Sequence, residues 1–423
     1  MRYLKNRKGV AQKMKDFKLL KNKNFLYFVL SQGISGFGDI FFDTLILLLV
    51  YDSTKSVLQS AMVGIAWHIS SIILSPIAGA LSDSYDRKKI LISSNFIGFI
   101  ITFFIALFYL FNKKLSLPVA LSAIILSNIA QTFIRPASRS ILPDISGEEN
   151  IESATGALSY ITNIFNFIGT LSVGFIIEFL GGFTAIVIDS ITFFIASVII
   201  AFINIPQKSI SIDINKNNNL LENIRNGWEV LKANVLFKRI VVAAILINVM
   251  SFIGPLLPAF IDEKFNGGSI DYSIIETISL IAGILVGTTV STLTQHIQSK
   301  KLITYGWIGM GLSILGTSLF KAKFIIYIMF FLQSLFRTVS EVNFDIFMLR
   351  EVEQKFRGRI IGIVFSLSVI SIPLSTFIAG IVGERLPVMY IFMFAGIYAA
   401  IIGVVCLITV KRSDDPPEIE DQL

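Results

Sequence analysis

The chain has 423 residues, of which 54% are hydrophobic and only 15% are charged. Soluble domains carry about 25% charged residues, so this composition excludes a soluble globular protein. The formal net charge is +7, but the positions of the basic residues follow membrane topology, as described below, and we expect no nucleic-acid partner.

Cysteine and histidine are too scarce to build a disulfide framework or a structural metal site. Cys406 is the only cysteine, and His68 and His296 are the only histidines. Paired cysteines are needed for an intramolecular bridge, and structural zinc sites use several Cys and His ligands. We therefore expect no metal and no cofactor.

Apolar residues come in blocks of about 20, the length at which a helix crosses a ~30 Å hydrocarbon layer. Because lipid offers no partners to backbone groups, these blocks must be helices. The sequence predicts an all-α membrane protein with twelve transmembrane helices, at 25–50, 57–81, 90–111, 116–140, 153–179, 182–204, 239–261, 272–294, 302–320, 323–348, 360–383 and 387–410.

The distribution of Lys and Arg predicts the orientation. With twelve spans, both termini lie on one side, and that side carries 28 of the 36 basic residues against 7 on the other; Arg337 lies within a span. Because cytoplasmic loops are enriched in Lys and Arg, both termini are predicted to be cytoplasmic, in a multi-pass protein of the inner (cytoplasmic) membrane.

The spans divide into two halves of six. We expect a basic cytoplasmic tail at 1–24, a first six-helix half at 25–204, a cytoplasmic linker with an amphipathic helix at 205–238, a second half at 239–410 and a tail at 411–423. The sequence DRKKILI at 86–92 is echoed by QSKKLI at 298–303, and each segment opens the third span of its half. This pattern favours two halves in parallel repeat, with the substrate bound between them near the membrane midplane.

The loop between the second and third spans carries a motif. Gly79, Leu81, Asp83, Arg87 and Lys88 match the pattern G-x-L-x-D-x-x-x-R-K, which resembles the loop signature of the major facilitator superfamily. The resemblance implies the major facilitator fold and a cytoplasmic gate in which Asp83 and Arg87 form an ion pair. The alternative is a basic turn that only sets topology.

Other segments resemble the drug:proton antiporter branch that contains macrolide efflux proteins. They are FIRPASRSILP at 133–143, RGRIIG at 357–362 followed by Pro373, IDSITFF at 188–194, and Gly38-Asp39. The resemblance implies proton-coupled efflux of an amphipathic drug or antibiotic by a secondary transporter. One departure is that Gly169 is followed by Thr170, where the antiporter motif of the fifth helix has proline.

Charged residues inside predicted spans are costly and mark function. Asp39 and Asp43 share a face of the first span, and two close carboxylates raise each other's affinity for a proton, which predicts proton or cationic-substrate handling. The alternative is a structural pairing with a cation on another helix. For the lone Asp189 of the sixth span we expect structural hydrogen bonding, with proton coupling as the alternative.

In the tenth span, Arg337, Glu341 and Asp345 follow one another at helical spacing, one turn apart. Arg337 and Glu341 predict either a self-neutralised pair or a site where Glu341 exchanges Arg337 for a proton or substrate. Asp345 is expected to be solvated, and Glu276 is expected near the outer end of the eighth span.

Arg135, Pro136 and Arg139 lie at the inner end of the fourth span. They either line the mouth of the cavity or direct the two arginine side chains to the interface.

We therefore expect a secondary transporter, with a small amphipathic substrate, protons and the lipid bilayer as its partners, acting as a monomer. The first alternative is a carrier for a siderophore, a lysophospholipid or a metabolite. The remote alternative is a membrane enzyme acting on lipid-linked substrates, but no catalytic constellation supports it, and we expect no enzymatic activity.

Overall fold

The computed structural model describes residues 19, 21–82, 86–204, 235–351 and 371–414, and the regular elements within these ranges are all helices. Nine helices of the described chain are long and apolar enough to cross a membrane. The prediction of an all-helical membrane protein is confirmed. Most of the predicted amphipathic linker, the segment 357–362 and Asp83 lie outside the described residues.

Six helices come from the described part of the first half of the chain. They are α1 (Lys23–Thr54), α2 (Val57–Ser82), α3 (Arg87–Asn112), α4 (Leu117–Thr132), α5 (Ile134–Ser146) and α6 (Ile151–Ala201). The helix α1 begins after Asn22, whose side chain accepts hydrogen bonds from the backbone N–H groups of Asn24 and Phe25. This N-cap satisfies donors that have no partner within the helix, so α1 starts just before the predicted first span.

The predicted fourth span, 116–140, is broken. The helix α4 ends at Thr132, Phe133 forms a turn, and α5 starts at Ile134. Pro136 has no backbone N–H, so the carbonyl of Thr132 loses its helical partner and the ladder is interrupted there. The last two spans of this half join in the 51-residue α6, which is kinked at Gly181, where φ is 82°. Glycine adopts this left-handed backbone without steric cost.

Seven helices come from the described part of the second half. They are α7 (Val235–Asn248), α8 (Ile253–Phe265), α9 (Ser269–His296), α10 (Ser299–Leu319), α11 (Lys323–Glu351), α12 (Ser371–Gly383) and α13 (Val388–Asp414). A 3₁₀ turn at Val249–Phe252 separates α7 from α8, which breaks the predicted span 239–261. Pro255, in the first turn of α8, offers no N–H to the carbonyl of Ser251, so the α-helical ladder cannot run through this point.

The helix boundaries repeat along the chain. The helix α2 starts at Val57 and α9 at Ser269, while α3 starts at Arg87 and α10 at Ser299, so the two pairs of starts have equal separations. The same separation relates the two basic segments of the sequence, at 86 and 298. The repeat is therefore present in the helices as well as in the residues.

The contacts divide the chain into two compact units. The first contains Met1–Lys55, Met62–Ile214 and Ser269–Ser273, and the second contains Ser56–Ala61, Asn215–Gly268 and Ile274–Leu423. Each unit thus includes the first turn of one helix whose remaining residues belong to the other unit. Those two turns, at the starts of α2 and α9, occupy equivalent places in the repeat.

Both turns are held by close contacts at glycines. In the second unit, Ser56 Oγ donates to Glu384 Oε1 at 2.5 Å, the Leu58 N–H donates to the same oxygen at 2.9 Å, and a Cβ on Gly380 would lie 2.6 Å from Ala61 Cβ. In the first unit, the Gly174 N–H donates to Ser273 Oγ at 2.9 Å. Close backbone approach at small residues is a common way to pack helices in membranes.

Candidate functional site

A buried polar stripe runs along α1 in the first unit. Gln32 and Ser35 are 8% and 2% exposed, and Asp39 and Asp43 continue the same face one and two turns further on. The helix α6 packs closely on α1 here, since a Cβ on Gly169 would lie 3.0 Å from Ile40. The stripe therefore lies on a packed side of α1 within the first unit, with Asp39 and Asp43 half-buried.

Asp189 joins this stripe from the second part of α6. Its side chain is 0% exposed, and neither carboxylate oxygen has a hydrogen-bond partner in the described chain. The charges that act on it are the carboxylates of Asp39 and Asp43. No hydrogen-bond partner of Asp189 is present among the described residues, and both its expected structural hydrogen bonding and the alternative of proton coupling stay predictions.

Thr170 lies in the first part of α6, immediately after Gly169, and is 3% exposed. Its hydroxyl also lacks a hydrogen-bond partner among the described residues, as does the amide nitrogen of Gln32. Buried polar groups in native proteins are normally hydrogen-bonded to protein or to ordered water. These open polar atoms are therefore candidates for contact with water, protons or a bound ligand. Gln32 and Thr170 were missed by the sequence analysis, since each is a single uncharged polar residue in an apolar block.

In the second unit, the charged stripe of α11 is exposed and includes the middle of the helix. Arg337 is the central residue of Lys323–Glu351, about 21 Å from either end at 1.5 Å per residue. Its Nε donates to Glu341 Oε1 at 2.8 Å, and the two side chains are 61% and 57% exposed. The predicted pairing of Arg337 with Glu341 is present in the structure.

The side of α11 away from the charged stripe is packed, since Val339 and Asn343 are 8% and 0% exposed. Ser340 Oγ donates to the carbonyl of Ile303 at 3.1 Å, and a Cβ on Gly306 would overlap Ser340. The direction of the charged face follows from this packing. Charges at this depth do not face hydrocarbon, because insertion of each into the middle of a bilayer costs about 2.5–3.5 kcal/mol. We therefore expect the stripe of Arg337, Glu341 and Asp345 to face a water-filled path, which stays a prediction.

Glu276 was not expected at this site. It lies in the second turn of α9, about 10 Å from the start of the helix, and its carboxylate interacts electrostatically with the guanidinium of Arg337. One cation thus has two carboxylate neighbours, Glu276 and Glu341. Sequence spacing revealed only Glu341, because Glu276 comes from a different helix.

The loop motif ties three helix ends of the first unit together. Asp86 caps α3 by accepting from the N–H groups of Lys88 and Lys89, and Arg87 Nη1 lies 3.3 Å from Asp144 Oδ2 on α5. Lys88 Nζ donates to the carbonyl of Ala201, the last residue of α6, at 2.8 Å. Asp144 was missed by the sequence analysis, and since Asp83 lies outside the described residues, its pairing with Arg87 stays a prediction.

The structure also gives the positions of the other residues predicted for the gate and for the cavity mouth. Gly79 and Leu81 lie in the last turn of α2, and Arg135, Pro136 and Arg139 lie in the first half of α5, with Arg139 exposed and Pro136 half-buried. Their assignment to the gate and to the cavity mouth stays a prediction. No cluster of three His, Cys, Asp or Glu in the described chain could hold a metal ion.

The chain is similar to transporters in both sequence and fold. It is 25% identical to macrolide efflux protein A of Streptococcus pyogenes over 89% of this chain and 93% of that protein, and 23% identical to the staphyloferrin A transporter of Staphylococcus aureus over 77% and 81%. The crystal structure of the nucleoside transporter NupG matches with a TM-score of 0.75 at 12% identity, over 92% of this chain and 99% of that one.

A bacterial homologue of the iron transporter ferroportin, in its inward-facing state, matches with a TM-score of 0.68 at 13% identity, over 93% of this chain and 99% of that one. These structural likenesses establish the fold. The family model described as transmembrane secretion effector matches residues 15–419. The chain belongs to this transmembrane secretion effector family and is a multi-pass transporter with the major facilitator fold, not an enzyme.

Proposed function

We propose that the chain is a monomeric secondary transporter that exports an amphipathic drug or antibiotic in exchange for protons by alternating access. Macrolide-like compounds are the first class to test, because the similarity to macrolide efflux protein A extends over most of both chains. The proposal places the chain in the cytoplasmic membrane with both termini in the cytoplasm, in agreement with the basic residues of the loops.

The environment of Asp189 is the observation that supports proton coupling in this proposal. A fully buried carboxylate with no hydrogen-bond donor in the described chain and two carboxylate neighbours is costly to keep ionised, and a bound proton removes that cost. Asp39 and Asp43 lie on the neighbouring α1, so a proton could pass among the three groups. Their protonation would then follow whichever side of the membrane the site is open to.

The charged stripe of α11 supports a substrate with a polar or charged head. Arg337 is accompanied by Glu341, Glu276 and Asp345, so this face carries more negative than positive charge. An amphipathic cation would be attracted to it, and its apolar part would be compatible with the phenylalanine-rich spans of the chain. This stripe would bind the substrate while the carboxylates of the first unit handle protons.

The proposal is tested with everted membrane vesicles in which an imposed pH gradient drives uptake of a fluorescent macrolide-like compound. We expect Asp189→Asn to lose most gradient-driven uptake while substrate binding at equilibrium is retained, and Asp39→Asn to behave in the same way. Asp52→Asn is the matched control, since this carboxylate also lies on α1 but is 79% exposed. If Asp189→Asn keeps both the rate and the pH dependence of the native protein, the assignment of Asp189 is refuted.

A carrier for a siderophore is the second candidate. The similarity to a staphyloferrin A transporter favours it, and an anionic cargo would be bound by Arg337. The absence of transport of a macrolide-like compound does not by itself distinguish a siderophore carrier from a drug exporter. Accumulation of a radiolabelled iron chelate in whole cells, in place of its exclusion, would support the carrier and contradict export of cationic amphiphiles.

A further inference from the structure

Glu276 is a half-buried carboxylate in the membrane-spanning part of α9, about 10 Å from the start of the helix. Within the described chain it makes no hydrogen bond and no salt bridge, and its one interaction is the electrostatic attraction to the guanidinium of Arg337. A carboxylate inside a span is costly unless a cation, a donor or water accompanies it. Glu276 is therefore a carboxylate that requires a further partner.

The face of α9 that carries Glu276 is the face that meets α11. Glu276 and Gly283 are seven residues apart, which places them two turns apart on the same face of the helix. A Cβ on Gly283 would lie 3.8 Å from Thr338 Oγ1, at ordinary van der Waals distance. Thr338 directly follows Arg337 on α11. The packing of the two helices thus brings the side of α9 with Glu276 next to the charged stripe of α11.

Arg337 is already paired with a different carboxylate. Its Nε donates to Glu341 Oε1 at 2.8 Å, and the two residues are one helical turn apart, so the pair is supported by the helix itself. Glu276 attracts the same guanidinium from a different helix but forms no salt bridge with it. One positive charge therefore serves two negative charges, and Glu276 is the carboxylate whose charge is left unmatched.

The described helices leave space beside these side chains. Gly287 lies one turn beyond Gly283 on the same face of α9, and a Cβ there would have no described atom within 4 Å. On α11, the side chains of Arg337 and Glu341 are 61% and 57% exposed. The charged groups are therefore accessible to a ligand, and a ligand with a positive charge would match the net negative charge that they carry.

We propose that Glu276 binds the cationic group of the transported compound and so selects amphipathic cations over neutral compounds of the same shape. This inference rests on the proposed export of an amphipathic compound and assigns recognition of its charge to one residue. A protonated amine of the substrate would donate a charge-assisted hydrogen bond to the Glu276 carboxylate. Glu341 has a positioning role, because its pairing with Arg337 keeps the guanidinium from occupying Glu276.

The test compares two compounds that differ by one charge. The first is a fluorescent macrolide-like compound with a basic amine, and the second is its N-acetyl derivative, which has the same body without the positive charge. Equilibrium binding of each compound is measured with the purified full chain in detergent, and uptake driven by a pH gradient is measured in everted vesicles. The variants are Glu276→Gln and Glu276→Asp. Glu152→Gln is the matched control, because it makes the same change at an exposed carboxylate in the first turn of α6.

We expect the native protein to bind the amine about tenfold more tightly than the N-acetyl compound, since a charge-assisted hydrogen bond is made only with the amine. Glu276→Gln should bind the two compounds equally, while Glu276→Asp should keep a preference for the amine and Glu152→Gln should keep the native ratio. The ratio of the two affinities does not depend on the fraction of folded protein, so a purely structural role of Glu276 would leave it unchanged.

Binding and uptake separate this inference from the proposed function. If the native protein prefers the amine and Glu276→Gln abolishes that preference, but the pH gradient drives no uptake, proton-coupled export of this compound is refuted while the assignment of Glu276 stands. The assignment is overturned if the native protein shows no preference for the amine, if Glu276→Gln retains the preference, or if Glu152→Gln loses it to the same extent.

Discussion

The ion pair between Arg87 and Asp144 gives the sharpest energetic prediction. The two side chains are 32% and 9% exposed, their charged atoms are 3.3 Å apart, and the same guanidinium nitrogen donates to the carbonyl of Ser140 at 3.2 Å. Arg87→Gln would remove this cation from the nearly buried Asp144 carboxylate. Hydrogen bonds to charged groups contribute about 1.5–3 kcal/mol, and partial exposure of the arginine lowers that value, so we expect a loss of ~2 kcal/mol in the free energy of unfolding.

The assay is a double-mutant cycle with Arg87→Gln, Asp144→Asn and the double variant, unfolded by denaturant titration in detergent micelles. We expect a coupling energy of ~1–2 kcal/mol. Lys89→Gln is the control, because Lys89 is 83% exposed and its nitrogen lies 3.9 Å from Asp86, a geometry that contributes at most ~0.5 kcal/mol. A coupling energy between Arg87 and Asp144 no larger than this control value would refute the reasoning.

Further predictions concern packing and capping, and each is measured by the same titration. Gly311→Ala would place a methyl group 2.5 Å from the backbone nitrogen of Ala400, so we expect a loss of ~1–3 kcal/mol, whereas Gly287→Ala, with no described atom within 4 Å, should gain ~0.5–1 kcal/mol from helix propensity. Equal effects would contradict the close packing of α10 on α13. Glu384→Gln weakens the bond from the Leu58 N–H at the start of α2, and we expect a loss of ~1 kcal/mol. An unchanged unfolding midpoint would show that this cap contributes nothing.

Most helix limits follow from the sequence, because membrane burial imposes them. The predicted second span begins at Val57, where α2 begins, and the predicted junction of the fifth and sixth spans falls on the kink at Gly181. Hydrocarbon thickness and the demand for internal backbone hydrogen bonds act on each segment separately, so local composition is sufficient. The breaks near Pro136 and Pro255 depend on single missing N–H groups, which an average over apolar residues conceals.

Less of the candidate site than of the helix limits could be predicted from the sequence. Composition and spacing identified the embedded charges and the Arg337–Glu341 pair, because partners one helical turn apart are neighbours in any fold. The carboxylates that interact with Asp189 depend on tertiary structure, since Asp39 belongs to the first helix and Asp189 to the last helix of the same half. The pairing of Arg87 with Asp144 and the interaction of Arg337 with Glu276 also join residues of different helices, so they too depend on tertiary structure.

The amino-acid sequence alone was therefore sufficient to show that the chain is a helical membrane protein, which of its residues are charged at depth, and which superfamily its loop motif resembles. The packing of α6 on α1 was needed to show that Asp39 and Asp43 act electrostatically on the buried Asp189, which has no hydrogen-bond partner in the described chain. The capping of α3 by the Asp86 carboxylate also became visible only in three dimensions. Span formation depends on local hydrophobicity, while the partner of a buried charge depends on which helices meet.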